Sequence, residues 1–163
     1  MFKSISLFSI LYLSHITLGF SGTITLTPDE EKAVFLAANY KLINKEWRKC
    51  YFEDDKTYEA GRIEEVRDIN GDGLLDSVVT EASLFCYGNT GVSFSLVSKQ
   101  VNGEWKYITS GVGYVNFLNT KGADGWPDIE LAGPGFCFPV SRFNGEKYLF
   151  NRRAYDGKPC ERK

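Results

Sequence analysis

Histidine is nearly absent from this 163-residue chain, and the only one, His15, lies close to the N-terminus. No Gly-x-Ser-x-Gly segment, which presents the serine nucleophile in one large class of hydrolases, occurs either. The four cysteines include no Cys-x-x-Cys pair, which argues against a zinc site. Because the usual acid–base and thiol groups are missing, the sequence favours a non-catalytic protein.

Clusters of basic residues and a second long apolar run are also missing. The chain has 19 lysines and arginines against 21 aspartates and glutamates, with no basic stripe. A nucleic-acid partner is therefore not expected. After the N-terminal segment no apolar stretch is long enough to cross a bilayer, so no membrane span is expected in the mature protein.

Residues 1–21 have the pattern of a cleaved signal peptide. Lys3 gives a positive start, an apolar run follows at 5–13, and small residues at Gly19 and Ser21 suit cleavage. The apolar run is shorter than the roughly 20 residues that a membrane anchor needs. The sequence therefore predicts a secreted or periplasmic protein.

The predicted mature part, residues 22–163, has the length of one domain. Without Lys3, 18 basic residues stand against 21 acidic ones, a net charge of −3. All four cysteines fall in this part, and an even number in an exported chain favours two disulfides. Three pairings are possible, and the pairing of sequence neighbours is preferred: Cys50–Cys86 and Cys137–Cys160.

The order of elements predicts an α+β fold, with an N-terminal helix followed by a mostly antiparallel sheet. Thr27, Pro28 and Glu30 form a capping box that starts a helix predicted over 28–45. Asn102-Gly103 and Asn144-Gly145 are typical hairpin turns. Strands are predicted over seven segments: 62–67, 77–84, 92–101, 105–110, 129–132, 137–143 and 148–152.

Two related units account for the strand region. Asp72-Gly73-Leu74-Leu75-Asp76 matches Asp124-Gly125-Trp126-Pro127-Asp128 at an offset of 52 residues. Phe85-Cys86-Tyr87 matches Phe136-Cys137-Phe138 at an offset of 51. Each unit is predicted to be a loop followed by a small meander.

The segment Asp68–Asp76, called the Asp-rich loop below, is the most specific motif. Calcium prefers six to eight hard oxygen ligands, and the loop places such groups at positions 1, 3, 5, 7 and 9. Gly73 at position 6 permits the sharp turn that this arrangement needs. The predicted ligands are Asp68, Asn70, Asp72, the Leu74 carbonyl and Asp76. An ion-free Asp/Asn/Gly turn is the alternative interpretation.

An Asp-rich loop that runs directly into a strand resembles the FG-GAP and VCBS repeats of extracellular β-proteins. The twelfth position, where an EF-hand places its bidentate glutamate, is Val79, and the residues around it are strand-like. The resemblance implies a structural calcium ion in the Asp-rich loop. In the second loop, residues 120–128, Thr120 and Gly122 replace Asp68 and Asn70, so this copy is predicted to be a turn or a weak site.

The partner is predicted to be a protein or a glycan. Aromatic side chains are common recognition anchors, and Trp126 and Tyr87 are the candidate partner surface because they lie in or beside predicted loops. One alternative is a glycan hydrolase that uses paired carboxylates, with candidates at Glu64, Glu65, Glu81 and Glu130. Another is an inhibitor or immunity-type protein of the cell envelope.

Overall fold

The computed structural model describes residues 25–50, 52, 54–155 and 157–161. The predicted leader, residues 1–21, lies outside them. The elements within these ranges are α1 (Pro28–Ala37), β1 (Lys41–Ile43), β2 (Glu46–Arg48), β3 (Glu59–Arg67), β4 (Asp76–Ala82), α2 (Leu84–Tyr87), β5 (Val92–Lys99), β6 (Trp105–Val112), β7 (Tyr114–Lys121), β8 (Pro127–Ala132), β9 (Phe138–Phe143), β10 (Tyr148–Tyr155) and β11 (Lys158–Pro159). Short 3-10 helices span Gly88–Thr90 and Ala123–Gly125.

Two antiparallel meanders make up most of the protein. Sheet I has the order β3-β4-β5-β6, and sheet II has the order β11-β10-β9-β8-β7. In each sheet every strand pairs with its neighbour in sequence, and the first hairpin contains one of the two loops that align in sequence. Strands β1 and β2 form a separate small hairpin.

The core lies in two layers, one on each face of sheet I. Strand β4 supplies both layers because successive side chains of a strand point to opposite faces. Val79 packs with Val34 and Phe35 of α1. Val78 packs on the other face with Trp126, which precedes β8, and with Ile129 of sheet II. The molecule is therefore built as helix, sheet I and sheet II, in that order.

Helix α1 starts where the sequence predicts and ends earlier. The Thr27 hydroxyl accepts a hydrogen bond from the Glu30 amide at 3.3 Å, and the Glu30 carboxylate accepts one from the Thr27 amide at 3.0 Å. The helix ends at Ala37 rather than at residue 45. Asn39 has a φ of 66°, and Asn44 and Lys45 have left-handed φ values of 50° and 69° at the turn between β1 and β2. These backbone angles cannot continue a right-handed helix.

The predicted antiparallel sheet is confirmed, but the α+β class needs correction: the described part of the chain is mostly antiparallel β-sheet with two short α-helices. The predicted hairpin turns connect β5 to β6 and β9 to β10, as expected. Strand β7 was not predicted. No helix in the described part of the chain is long and apolar enough to cross a membrane.

Two disulfides are present, Cys50–Cys86 and Cys137–Cys160, and they join sequence neighbours as preferred from the sequence. The first attaches the segment after β2 to helix α2. The second attaches the connection between β8 and β9 to the residue that follows β11. Two disulfides fit a protein that functions in an oxidising compartment.

Candidate functional site

The Asp-rich loop joins β3 to β4, and Asp68 organises its turn. One carboxylate oxygen of Asp68 accepts hydrogen bonds from the amides of Gly71 at 2.7 Å and Asp72 at 3.2 Å. The other oxygen accepts one from the Gly73 amide at 2.9 Å. Gly71 and Gly73 have φ values of 85° and 86°, which other residues rarely adopt.

Asn70 and Asp72 continue the same pattern. The Asn70 side-chain oxygen accepts from the Asp72 amide at 3.1 Å, and the Asp72 carboxylate accepts from the Leu74 amide at 2.8 Å. The Asn70 amide group also donates to the Asp72 carboxylate at 3.1 Å. Among the described residues, no group of three or more His, Cys, Asp or Glu side chains is arranged to hold a metal ion. The five predicted calcium ligands lie in this one loop, and all four of their side chains accept hydrogen bonds from its backbone amides.

Asp76, the last residue of the loop, is completely buried at the start of β4. Its Oδ2 atom accepts a hydrogen bond from the Ile69 amide at 2.8 Å. Its Oδ1 atom is buried and has no hydrogen-bond partner among the residues that the structure describes. Burial raises the pKa of Asp76, and polar groups nearby, those of Ser98 and of the Ile69 and Asn70 backbone, offset this only in part. Asp76 is therefore a buried carboxyl group that forms no ion pair with a lysine or arginine of the described residues.

Asp128 occupies the corresponding position in sheet II and has the opposite electrostatic environment. It is also completely buried. Arg142 binds both of its oxygens, with distances of 2.8 and 2.9 Å, and Arg152 adds a third contact at 2.6 Å. Thr120, which aligns with Asp68, donates to Asp128 at 2.6 Å. Burial opposes ionisation, but these hydrogen bonds hold the pKa of Asp128 at about 2.

The two loops contact each other through their backbones. A Cβ atom at Gly125 would lie 2.2 Å from the Asn70 carbonyl oxygen, and the φ of Gly125 is 75°. Only glycine therefore fits at this contact without displacing a loop. The geometry of the second loop is consequently linked to that of the Asp-rich loop.

The predicted exposure of Trp126 is wrong. Its side chain is only 4% exposed and packs between the sheets against Phe143 and Tyr148. Trp126 directly follows the 3-10 helix Ala123–Gly125 of the second loop, and its side chain belongs to the core layer between the two sheets. This residue is part of the core and not a partner surface.

Tyr87, the other predicted surface residue, is half-buried and belongs to a polar cluster around Glu81. The hydroxyl groups of Tyr58 and Tyr87 both donate to Glu81. The backbone amides of Lys49 and Cys50 donate to the same carboxylate at 2.8 and 3.1 Å. Burial and Glu81 raise the pKa of Tyr87. With four donors, Glu81 attaches the disulfide-bonded segment to sheet I.

The remaining candidate acids lie in different environments. Glu64 and Glu65 lie on β3 and form exposed ion pairs with Arg62 and Arg67. Glu130 is buried, and one of its oxygens accepts from Asn116 at 3.2 Å while the other has no partner among the described residues. Sequence reasoning did not identify Arg142 and Arg152. The only sequence signal for them was the alignment of Asp128 with Asp76.

A scan against protein-family models, a search of curated proteins and a search of solved structures found no match to this chain. The resemblance to FG-GAP and VCBS repeats thus stays a prediction from the Asp-rich loop and the strand that follows it.

Proposed function

We propose that the mature protein is a calcium-stabilised, non-catalytic binding module that acts in the periplasm or outside the cell. The observation that supports the calcium site best is the buried Asp76 Oδ1 atom, for which the described part of the chain offers no hydrogen-bond partner. A buried ionised carboxylate is costly unless a cation or hydrogen bonds balance its charge. A calcium ion held by the Asp-rich loop would supply that charge.

Sheet II supports the same interpretation by analogy. At the corresponding buried position, Asp128 is balanced by two guanidinium groups. No lysine or arginine of the described residues forms an ion pair with Asp76, although its position relative to its loop is the same. A calcium ion at the Asp-rich loop would then balance the charge of buried Asp76, as the two arginines balance that of buried Asp128 at the second loop.

The donor set fits calcium in its chemistry. Asp68, Asn70, Asp72 and Asp76 supply hard oxygen atoms, and the Leu74 carbonyl adds another. Binding would exchange the present side-chain hydrogen bonds to backbone amides for bonds to the ion. The ion would fix the loop against β4 and, through the contact with Gly125, against the second loop.

Thermal unfolding of the oxidised protein with calcium and with chelator tests this proposal. Calcium at about 100 times its Kd adds about 2.7 kcal/mol to the free energy of unfolding. We expect the unfolding temperature to rise by roughly 10 °C and this rise to disappear in Asp72→Asn. The matched control is Asp124→Asn in the second loop, which should keep the full response. Equal unfolding temperatures with calcium and chelator would refute the calcium site.

The second candidate function is an inhibitor or immunity-type protein with a protein partner. It is favoured by an exposed aromatic pair: the rings of Phe52 and Phe85 stack with centroids 4.1 Å apart, and Phe85 is 63% exposed. The Cys50–Cys86 disulfide joins the residue after Phe85 to the residue two before Phe52, so it links the two segments that carry these rings. Such a preformed apolar surface is typical of a protein-binding site.

A pull-down from an envelope extract distinguishes this candidate. A stoichiometric protein that binds the unmodified chain, fails to bind Phe85→Ala and still binds the control Phe150→Ala would support it. Retention that does not depend on Phe85 would contradict the aromatic pair as the binding surface.

A further inference from the structure

A cleft of about 280 Å³ opens between the two sheets, beside the point where Gly113 connects β6 to β7. One side is formed by Arg62, Glu64 and Thr80 of sheet I. The opposite side is formed by Tyr114 and Asn116 of sheet II. Phe94, Val92 and Val115 also line the cleft, so its surface is mostly apolar and carries polar groups on both sides.

The polar wall of sheet I has no net charge. Arg62 donates to Glu64 at 2.8 Å, and the Thr80 hydroxyl donates to the same Glu64 oxygen at 3.4 Å. An arginine has five N–H donors and a carboxylate has two acceptor oxygens, so this pair retains unused donors and acceptors. A neutral ligand with hydroxyl groups can use both kinds, because each hydroxyl both donates and accepts.

The wall of sheet II adds an acceptor and an aromatic ring. Asn116 directs its amide nitrogen to Glu130 at 3.2 Å, which leaves its carbonyl oxygen as an acceptor. Tyr114 is 61% exposed, so its ring presents an apolar surface beside these polar groups. The C–H face of a sugar ring packs on such an aromatic surface while its hydroxyl groups reach neighbouring polar side chains.

We propose that this cleft binds one ring of a neutral glycan. The proposal rests on the proposed binding function and names its ligand class. A charged ligand would be repelled by one member of the Arg62–Glu64 pair, an anion by Glu64 and a cation by Arg62. An apolar ligand would cover the polar groups of both walls without giving them hydrogen-bond partners, which is costly. The volume accommodates one sugar ring, so neighbouring rings of a longer glycan would extend into solvent.

Ligand-observed NMR tests the proposal with the methyl glycosides of glucose, galactose, mannose and N-acetylglucosamine, and with glucuronate as the charged comparison. We expect saturation transfer to at least one neutral glycoside. Tyr114→Ala should weaken its binding about fivefold to tenfold because the ring contact is lost. Glu64→Gln should weaken it by about tenfold because a charged acceptor is lost. The matched control Tyr155→Ala removes another exposed tyrosine and should leave the affinity unchanged.

No binding of any neutral glycoside, binding of glucuronate alone, or full binding by Tyr114→Ala would each overturn the proposal. The titrations are run in saturating calcium, with the unfolding temperature recorded on the same samples. Calcium stabilisation without sugar binding would reject the cleft and leave the proposed calcium site intact. Sugar binding without calcium stabilisation would reject the calcium site and leave the cleft intact.

Discussion

Replacement of Asp76 by asparagine should change stability in opposite directions with and without calcium. In chelator the wild-type protein buries a carboxylate with one oxygen unpartnered, and such a group costs about 1–3 kcal/mol, or more when it is charged. Asparagine has nearly the same shape and keeps an oxygen that can accept from the Ile69 amide. Because it removes the buried charge, we expect Asp76→Asn to unfold at a higher temperature than wild type in chelator.

With calcium the order should reverse. The wild-type protein gains about 2.7 kcal/mol at 100 times the Kd, whereas the variant lacks one carboxylate ligand and should gain less than about 1 kcal/mol. The assay is thermal or urea unfolding of both proteins, with intact disulfides, in chelator and across a calcium titration. A variant that is less stable than wild type in both conditions, or that keeps the full calcium response, would show that Asp76 is not a buried calcium ligand.

Three further predictions concern the second loop. Arg142→Met removes two charged hydrogen bonds to the buried Asp128 and should lower the free energy of unfolding by about 2–4 kcal/mol. In an Asp128→Asn background the same substitution should cost less. If urea unfolding gave the same cost in both backgrounds, the pairing of Arg142 with Asp128 would be contradicted. The pKa of Asp128 is about 2 in the folded protein against a usual 3.8, so its stabilisation is complete above pH 3.8 and is lost as the pH falls toward 2. This loss of about 2 kcal/mol should be absent from acid unfolding of Asp128→Asn, and identical pH profiles would contradict it. Gly125→Ala should lower the free energy of unfolding by at least about 1 kcal/mol, because the φ of Gly125 is positive and the new Cβ would clash with the Asn70 carbonyl. It should also weaken calcium binding measured by calorimetry. An unchanged calcium affinity would argue against coupling between the loops.

The start of α1 and the two hairpin turns could be predicted from the sequence because they depend on neighbouring residues. The capping box of Thr27 and Glu30 and the turns at Gly103 and Gly145 are determined by hydrogen bonds and backbone angles within four residues. The helix was predicted too long because Leu42 and Ile43 fit a helical pattern as well as a strand. Tertiary pairing of β1 with β2 decided between the two.

The missed features depend on contacts between residues far apart in sequence. Trp126 was expected at the surface because it lies in a loop, but the loop closes one end of the inter-sheet core. Arg142 and Arg152 meet Asp128 only because β8, β9 and β10 are neighbours in sheet II. Their role could have been suspected from the aligned aspartates, since two equivalent buried carboxylates both need a compensating charge.

The number of calcium ions bound per chain decides whether the Asp-rich loop is a metal site. Native mass spectrometry of the oxidised mature protein, after exchange into a calcium-containing volatile buffer, should show one tightly bound ion. Asp72→Ala should show none, and Asp124→Asn should retain one. A wild-type protein that binds no ion, or an Asp72→Ala variant that still binds one, would contradict the assignment of calcium to the Asp-rich loop.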